Sequence, residues 1–386
     1  MTAAFGHGLV VGKFYPPHRG HRYLIDHAAA VCARVTVLVM AAGSETLPLG
    51  DRVAWLRSSC AELQGVTVAG VRCDVPVDFG NEAIWAAQVA VMRAALEGAG
   101  RPLVDAVVSG EPYGDELAAR LGAKHVRIDP SRTTVPVSAS QIRADLAGCW
   151  DDLLASARAG LAARVVVVGA ESTGTSTVAK LLAGEYRRRG GVWARTQCVS
   201  EAGRDYTLTK WQQARAVAAT AGRPDPPLDS LEWTPADFDA VAAEQTRREH
   251  RAAAAGSPLL VCDTDALATS VWERRYLGGR ARALQSWAST DLPRHAVYLL
   301  TSHEGVAWQN DGLREGDLKV RAAMTRWFVQ GLTEAGHSWV ILTGSVAERL
   351  ALAVRVTDAV LARQAAFGPA ITDAALASGG ESDEPG

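Results

Sequence analysis

Two stretches of the chain share one pattern of apolar and polar positions. A short apolar run ends in a loop of glycine, proline or hydroxyl residues, and apolar residues at helical spacing follow. The first stretch is "GLVVGKFYPPHRGHRYLIDHAAAVCA" and the second is "ARVVVVGAESTGTSTVAKLLAGEYRRRG". Each predicts strand, phosphate-type loop and helix, the opening of an α/β nucleotide domain. Further apolar runs predict strands. "RVTVLVM" (34–40) and "VDAVVSG" (104–110) follow the first opening. "VWARTQC" (192–198), "PLLVCDTD" (258–265), "HAVYLLT" (295–301) and "SWVILTG" (338–344) follow the second. Apolar strands alternating with helices imply parallel sheets covered on both faces. The predicted fold class is α/β, with two doubly wound parallel-sheet domains.

"WDDLLASARAGLAA" reads as a last helix running into a short link, which puts the domains at 1–160 and 161–365. Residues 366–386 end in "ASGGESDEPG", small and acidic, and are expected to be disordered. "AGRPDPPLDSLEWTPAD" (221–237) is proline-rich and irregular, and its length inside a domain suggests a functional loop.

Composition narrows the class. With 48% hydrophobic residues over 386 positions the chain reads as a soluble globular protein, and a net charge of −2 gives no basic field for nucleic acid. The six cysteines form no C-x-x-C pair, which argues against zinc and for reduced thiols in a cytoplasm. No signal-peptide pattern is visible, and no apolar stretch approaches a membrane span of about 20 residues. A cytoplasmic location without membrane or nucleic-acid partners is expected. A homo-oligomer is compatible with the sequence.

The first loop, "GKFYPPHRGH", holds Gly12, Lys13, Phe14, His18, Gly20 and His21. Gly20 permits close backbone approach, the helix start favours an anion, two imidazoles can donate to phosphate oxygens, and Lys13 adds a point charge. A second element, "VPVSASQIRADL", places Ser138, Ser140 and Arg143 near a helix start, where hydroxyls cap and an arginine can reach phosphate. An ordinary capped helix is the plain alternative. Trp55 and Trp85 are candidate platforms for a flat ring, although Trp85, Val89 and Met92 share a helix face and a core tryptophan is the favoured reading of each.

The second loop runs Gly169, Ala170, Glu171, Ser172, Thr173, Gly174, Thr175, Ser176, Thr177. It keeps the spacing of the phosphate-loop pattern G-x-x-x-x-G-K-[ST], but Thr175 stands at the lysine position. Most donors in such a loop are backbone N–H groups, so the cradle survives and one mobile charge is lost. Ser176 can still hold magnesium. Asp263 and Asp265 end a buried strand, where acids can hold magnesium or meet a substrate hydroxyl. Arg314, in "WQNDGLREGD" (308–317), could restore the lost charge from a lid.

"HRGH" and "VSASQIR" resemble the [HT]-x-G-H loop and the late I-S-x-[ST]-x-x-R motif of the nucleotidyltransferase superfamily, with Val for Ile and Ser for Thr. With "SGEPYGDELAARLGA" (109–123), roughly the first 150 residues resemble the nicotinamide mononucleotide (NMN) adenylyltransferase domain of the NadR family. Residues from about 161 to 365, through "GAESTGTST", "SEAGRDY", "CDTD" and "NDGLREG", are similar to that family's ribosylnicotinamide kinase domain. The resemblance implies a Rossmann-like nucleotidyltransferase followed by a P-loop kinase. The first would join NMN and ATP into NAD and pyrophosphate, using His18, His21, Lys13 and Arg143. The second would phosphorylate nicotinamide riboside with ATP. Glu201 and Arg204 would lie near the riboside, and Asp263 or Asp265 would be base or magnesium ligand, with the two roles open. Magnesium would accompany ATP in both. The first strand begins within a few residues of Met1, so the resemblance is to a NadR protein without the N-terminal helix-turn-helix. The departure at Thr175 puts the kinase rate, more than nucleotide binding, in question.

Overall fold

The computed structural model describes residues 3–101, 103–278, 281–282, 293–305 and 317–371. Contacts divide the chain into two compact units, Met1–Gly160 together with the chain from Ala365, and Leu161–Gln364.

The first unit runs β1 (Gly8–Gly12), α1 (Arg19–Val31), β2 (Val35–Ala41), α2 (Leu49–Ser59), β3 (Val66–Arg72), α3 (Glu82–Gly98), β4 (Ala106–Ser109), α4 (Gly114–Leu121), β5 (Lys124–Arg127), α5 (Ala139–Ala144) and α6 (Ala155–Leu161). Its five strands pair in the order β3-β2-β1-β4-β5, all parallel. The chain starts in the middle, steps outward to β3, then crosses back to β4. Strand order therefore reverses between β1 and β4, and a crevice opens at their carboxyl ends. Val10, Leu38, Val107 and Leu117 are among the fully buried residues of this core.

The second unit runs β6 (Ala163–Gly169), α7 (Thr175–Arg188), β7 (Gln197–Val199), α8 (Ala202–Thr220), α9 (Pro235–Ala255), β8 (Leu259–Asp263), α10 (Ala266–Leu277), β9 (Val297–Thr301), α11 (Leu318–Glu334), β10 (Trp339–Leu342) and α12 (Val346–Ala365). Its strand order is β10-β9-β6-β8-β7, again parallel. β6 is central and buried along its whole length, as its apolar run requires. The chain crosses from β8 on one side of β6 to β9 on the other, so the crevice opens at the end of β6, where the glycine loop begins.

Both sheets are doubly wound α/β. Three strands differ from the sequence reading. β3 and β5 lie at the flanks of the first sheet with mixed burial, so neither carries a continuous apolar run. In "VWARTQC" the positive φ of Gly190 and Gly191 starts a 3-10 turn over Gly191–Arg195, and only Gln197–Val199 pairs as a strand.

Residues 366–371 also depart from the expected tail. Tyr15 donates its hydroxyl to the Gly368 carbonyl (2.9 Å), the Gly368 amide donates to Thr46 Oγ1 (3.2 Å), and Phe367 meets the Tyr15 ring edge-on at 5.7 Å. One aromatic ring and two backbone groups tie this segment to the first unit. Ending the chain at Ala365 should cost the first unit about 1–3 kcal/mol. Urea unfolding followed by the fluorescence of that unit's tryptophans checks it, and an unchanged midpoint would mean that the segment adds nothing.

Candidate active sites

In the first unit the loop after β1 carries the chemistry. His18 caps α1. The Gly20 amide donates to His18 Nδ1 (3.1 Å), and the His18 amide donates to His21 Nδ1 (3.2 Å). A ring nitrogen that accepts holds no proton, so this network assigns the hydrogen of each neutral imidazole to Nε2. Burial first, then the charges of Arg132 and Arg19, pushes His18 down to about 3. Burial, His18 and Arg132 hold His21 well below the usual histidine range. The rings lie 3.7 Å apart. Two neutral rings with one Nε2–H donor each suit phosphate oxygens without bringing charge.

Lys13 pairs with Glu45 (3.2 Å), which is bonded in turn to Arg52 (2.6 Å). Arg52 is fully buried and also donates to the Lys13 carbonyl (3.0 Å). It therefore fixes the loop, a role invisible when its position suggests only a local cap. Arg143 donates to the Tyr15 carbonyl (2.8 Å) and to Ser140 (3.1 Å). The guanidiniums of Arg52 and Arg143 lie 4.5 and 5.0 Å from the Tyr15 ring. Ser138 caps α5 through a capping box with Gln141. A Cβ on Gly20 would come within 3.3 Å of Val137, so the two motifs meet at this glycine.

A crevice of about 920 Å³ opens here, lined by Gly12, Lys13, Phe14, His21, Ser109 and Glu111 among others. Arg143 and Ser140 do not line it; they face a smaller hollow of about 410 Å³ beside the C-terminal segment. Trp85 lies at the crevice but is 6% exposed, packs into the core and donates its Nε1–H to the Phe79 carbonyl (3.1 Å). The ring open to a ligand is Phe79, 60% exposed and stacked 5.6 Å from Tyr113. Ser109 meets His125 Nε2 (2.9 Å), whose Nδ1 meets Asp115 (2.7 Å), which pins the turn after β4. Gly114 is required there because a Cβ would overlap both Ser109 and His125.

In the second unit the loop Gly169–Thr177 joins β6 to α7. Gly174, at φ 89°, turns the chain into the helix and, as its N-cap, offers no side-chain cap to the amides of the first turn. A Cβ on Gly169 would overlap Thr301 Oγ1, and Thr173 bridges the Ala170 carbonyl (2.7 Å) and Thr301 (2.6 Å). The loop is held by its neighbours in a shape that leaves its amides open.

A cleft of about 810 Å³ runs from this loop, through Glu171, Ser172, Gly174, Thr175, Ser176 and Thr177, to Glu201, Arg204 and an aromatic group. Trp233 lies 5.2 Å from Tyr276 and 5.5 Å from Phe238. The proline-rich segment supplies Trp233. The helical pattern hid Phe238 and Tyr276, because an aromatic facing a cleft reads as one facing a core. Gln245 is buried and ties the Ala202 amide (3.0 Å) to the Thr264 carbonyl (3.2 Å), fixing the start of α8 beside the end of β8.

The two aspartates part company. Asp263 ends β8 beside Val167, and the Thr264 amide that follows donates to the Val167 carbonyl (3.0 Å). Asp265 turns inward. It caps α10 through the Ala268 amide (2.8 Å) and accepts from the Tyr298 hydroxyl (2.6 Å). His295 bridges it to Glu249, at 3.4 and 2.9 Å. Burial alone would lower His295, but the hydrogen bond to Glu249 and the charges of Asp265 and Glu249 raise it. Asp265 is thereby committed to a buried network, which corrects its reading as a base or metal ligand. Arg314 lies outside the described residues.

Among the described residues no group of three or more His, Cys, Asp and Glu could hold a metal by itself. A magnesium ion arriving on ATP fits what is present, since it needs one or two protein oxygens beside the phosphates. Ser176 lines the cleft, whereas Asp263, 8% exposed at the end of β8, does not. No helix among the described residues is long and apolar enough to cross a membrane.

Comparison with known proteins agrees with this geometry. The AAA domain family matches residues 164–349, and the citrate lyase ligase C-terminal domain family matches residues 8–72. The trifunctional NAD biosynthesis/regulator protein NadR of Salmonella typhimurium is 25% identical, over 86% of this chain and 78% of its own length. A crystal structure of NadR protein in complex with NAD and AMP-PNP superposes with a TM-score of 0.57 at 19% identity, covering 93% of this chain and 97% of that one. A second, in complex with NR, gives 0.55 at 19% identity over 92% and 95%. The chain is similar to NadR along most of its length. Both of its openings from strand to loop to helix lie inside the matched regions.

The histidine pair of the first unit should stay neutral. The ring resonances of His18 and His21 in NMR are expected to show no titration between pH 5 and 8. A midpoint near the ordinary value of about 6.5 would contradict the assigned Nε2–H donors.

Proposed function

We propose that the chain is a bifunctional enzyme of NAD biosynthesis, with adenylyl transfer to NMN in the first unit and phosphorylation of nicotinamide riboside in the second. The observation that carries it is the presence of two phosphate-type loops, one with histidine donors and one with open amides, each at the switch point of its own parallel sheet, with likeness to NadR along nearly the whole chain.

In the first unit a phosphate oxygen of NMN attacks the α-phosphorus of ATP, and the bond to the bridging oxygen breaks to release pyrophosphate. The NMN phosphate has a second pKa of about 6 and is already a dianion at neutral pH, so no strong base is needed. His18 and His21 donate Nε2–H bonds to oxygens of the reacting phosphates, and Lys13 adds charge. Arg52 and Arg143 act through the loop backbone. Phe79 and Tyr113 offer faces for the nicotinamide ring.

In the second unit the 5′-oxygen of the riboside attacks the γ-phosphorus, its proton passes to Asp263, and ADP leaves. The amides of Gly174, Thr175 and Ser176 hold the phosphates. Glu201 and Arg204 orient the ribose, and Trp233, Phe238 and Tyr276 hold the flat ring. Magnesium, held by Ser176 with the phosphates, would neutralise charge that builds up on the leaving oxygens. The product of this unit is the acceptor of the first.

Thr175 supports one second reading, in which the second unit binds nucleotide as a sensor without turnover. Mass spectrometry of the purified chain with ATP, magnesium and nicotinamide riboside separates the two. The bifunctional reading gives NMN and then NAD, whereas the sensor reading gives neither unless NMN is supplied. Replacing His21 by Ala should lower NAD formation from NMN by at least about 100-fold and leave riboside phosphorylation within about twofold. Equal loss of both activities would contradict two separate sites.

A further inference from the structure

The second unit buries two arginines against its phosphate loop. Arg321, on α11, is 0% exposed and donates Nη2–H to the Ser172 carbonyl (3.2 Å). Among the described residues its Nε and Nη1 have no hydrogen-bond partner. Arg349, on α12, is 2% exposed and donates to the carbonyls of Thr173 (2.9 Å), Gly344 (2.9 Å) and Glu304 (3.3 Å). Among the described residues neither forms an ion pair with a carboxylate. Glu171, in the loop itself, is the acid whose field reaches Arg321.

Uncompensated buried charge is expensive. An ion removed from water costs several kcal/mol unless a partner or aligned dipoles replace its hydration. Arg349 has three carbonyl dipoles for this. Arg321 has one, and two of its donor groups are left without an acceptor. A fold keeps such a group where a ligand of opposite charge completes it. The ligand-facing side of this loop is built for a polyphosphate, and the lysine position that would carry the balancing charge holds Thr175.

We propose that Arg321 is the cation that balances the triphosphate in this loop, replacing the lysine absent at position 175, while Arg349 holds the loop in shape. Arg321 acts from behind the loop, through the backbone at Ser172, and is a positioning residue. Water is excluded around it, so its field on the phosphates is screened far less than that of a surface lysine. It is also held before nucleotide arrives, whereas a lysine in the loop must be ordered on binding. This inference rests on the kinase reading above, and it names the charge which that reading otherwise lacks.

The test uses the full chain and measures kcat and KM for ATP with nicotinamide riboside as acceptor. Arg321→Met is expected to lower kcat/KM for ATP by at least about 30-fold. Arg321→Lys should keep it within about fivefold. Adding Thr175→Lys to Arg321→Met should restore at least about tenfold, because a charge returns to the same phosphates from the other side of the loop. A purely structural arginine would not be rescued by a distant lysine, so failure of that rescue overturns the proposal. So does an Arg321→Met enzyme within about twofold of the native one. Where Arg321→Met does not fold, Thr175→Lys in the native chain decides. A change of tenfold or less supports an existing cation, and a larger rise means that none serves the loop. If the native chain does not phosphorylate the riboside, the kinase reading fails by itself. Calorimetric binding of a non-hydrolysable ATP analogue then judges Arg321 alone, with at least about tenfold weaker binding to Arg321→Met expected and equal binding contradicting it.

Discussion

Backbone N–H groups at the first turn of a helix, which the helix itself cannot pair, are the constraint that both sites answer, the second by leaving them to a ligand and the first by capping them with histidines. Such groups have no partner inside the helix, and together they carry a partial positive charge. Each unit spends its sequence on presenting one such turn at the end of a central strand. In the second unit Gly169 and Gly174 allow the loop to fold tightly, and Thr173 and Thr301 lock it without covering its amides. In the first unit His18 and His21 occupy the turn and convert two backbone donors into two side-chain donors.

The two units then balance phosphate charge differently. The first sets neutral imidazoles and Lys13 at the crevice and keeps Arg52 and Arg143 at one remove, beside Tyr15. In the proposed reaction the attacking group there is itself a phosphate, and donors without charge would order two crowded anions while Lys13 offsets part of their repulsion. In the proposed kinase reaction the second unit attacks with a neutral hydroxyl. Its charge requirement lies on the triphosphate side, where Arg321 and Arg349 sit buried behind the loop. A fixed, dry cation favours charge that develops in the transition state without reorganising at the moment of reaction.

Much of this was legible in the sequence because it is local. Buried central strands such as β2, β6 and β8 are unbroken apolar runs, and both loops follow such a strand directly. What escaped depends on distance along the chain. Arg321 and Arg349 bond to loop carbonyls 149 and 176 residues away, and a helical arginine gives no sign of whether it faces water or a backbone. Arg52 hid in the same way. Asp265 misled for a related reason. An acid after a strand can face a ligand or cap the next helix, and Tyr298 and His295, which decide the matter, lie about thirty residues on in a different strand and the turn before it. The edge strands β3 and β5 escaped because half of their surface faces water and their apolar signal is diluted.

The account stands or falls on a phosphate loop that works without its lysine. A crystal structure of the full chain with magnesium and a non-hydrolysable ATP analogue measures this directly. The account predicts the β-phosphate within hydrogen-bond distance of the amides of Gly174 and Ser176, with Arg321 still on the Ser172 carbonyl and no carboxylate beside it. A triphosphate bound away from the loop, or an Arg321 neutralised by an acid, would contradict it.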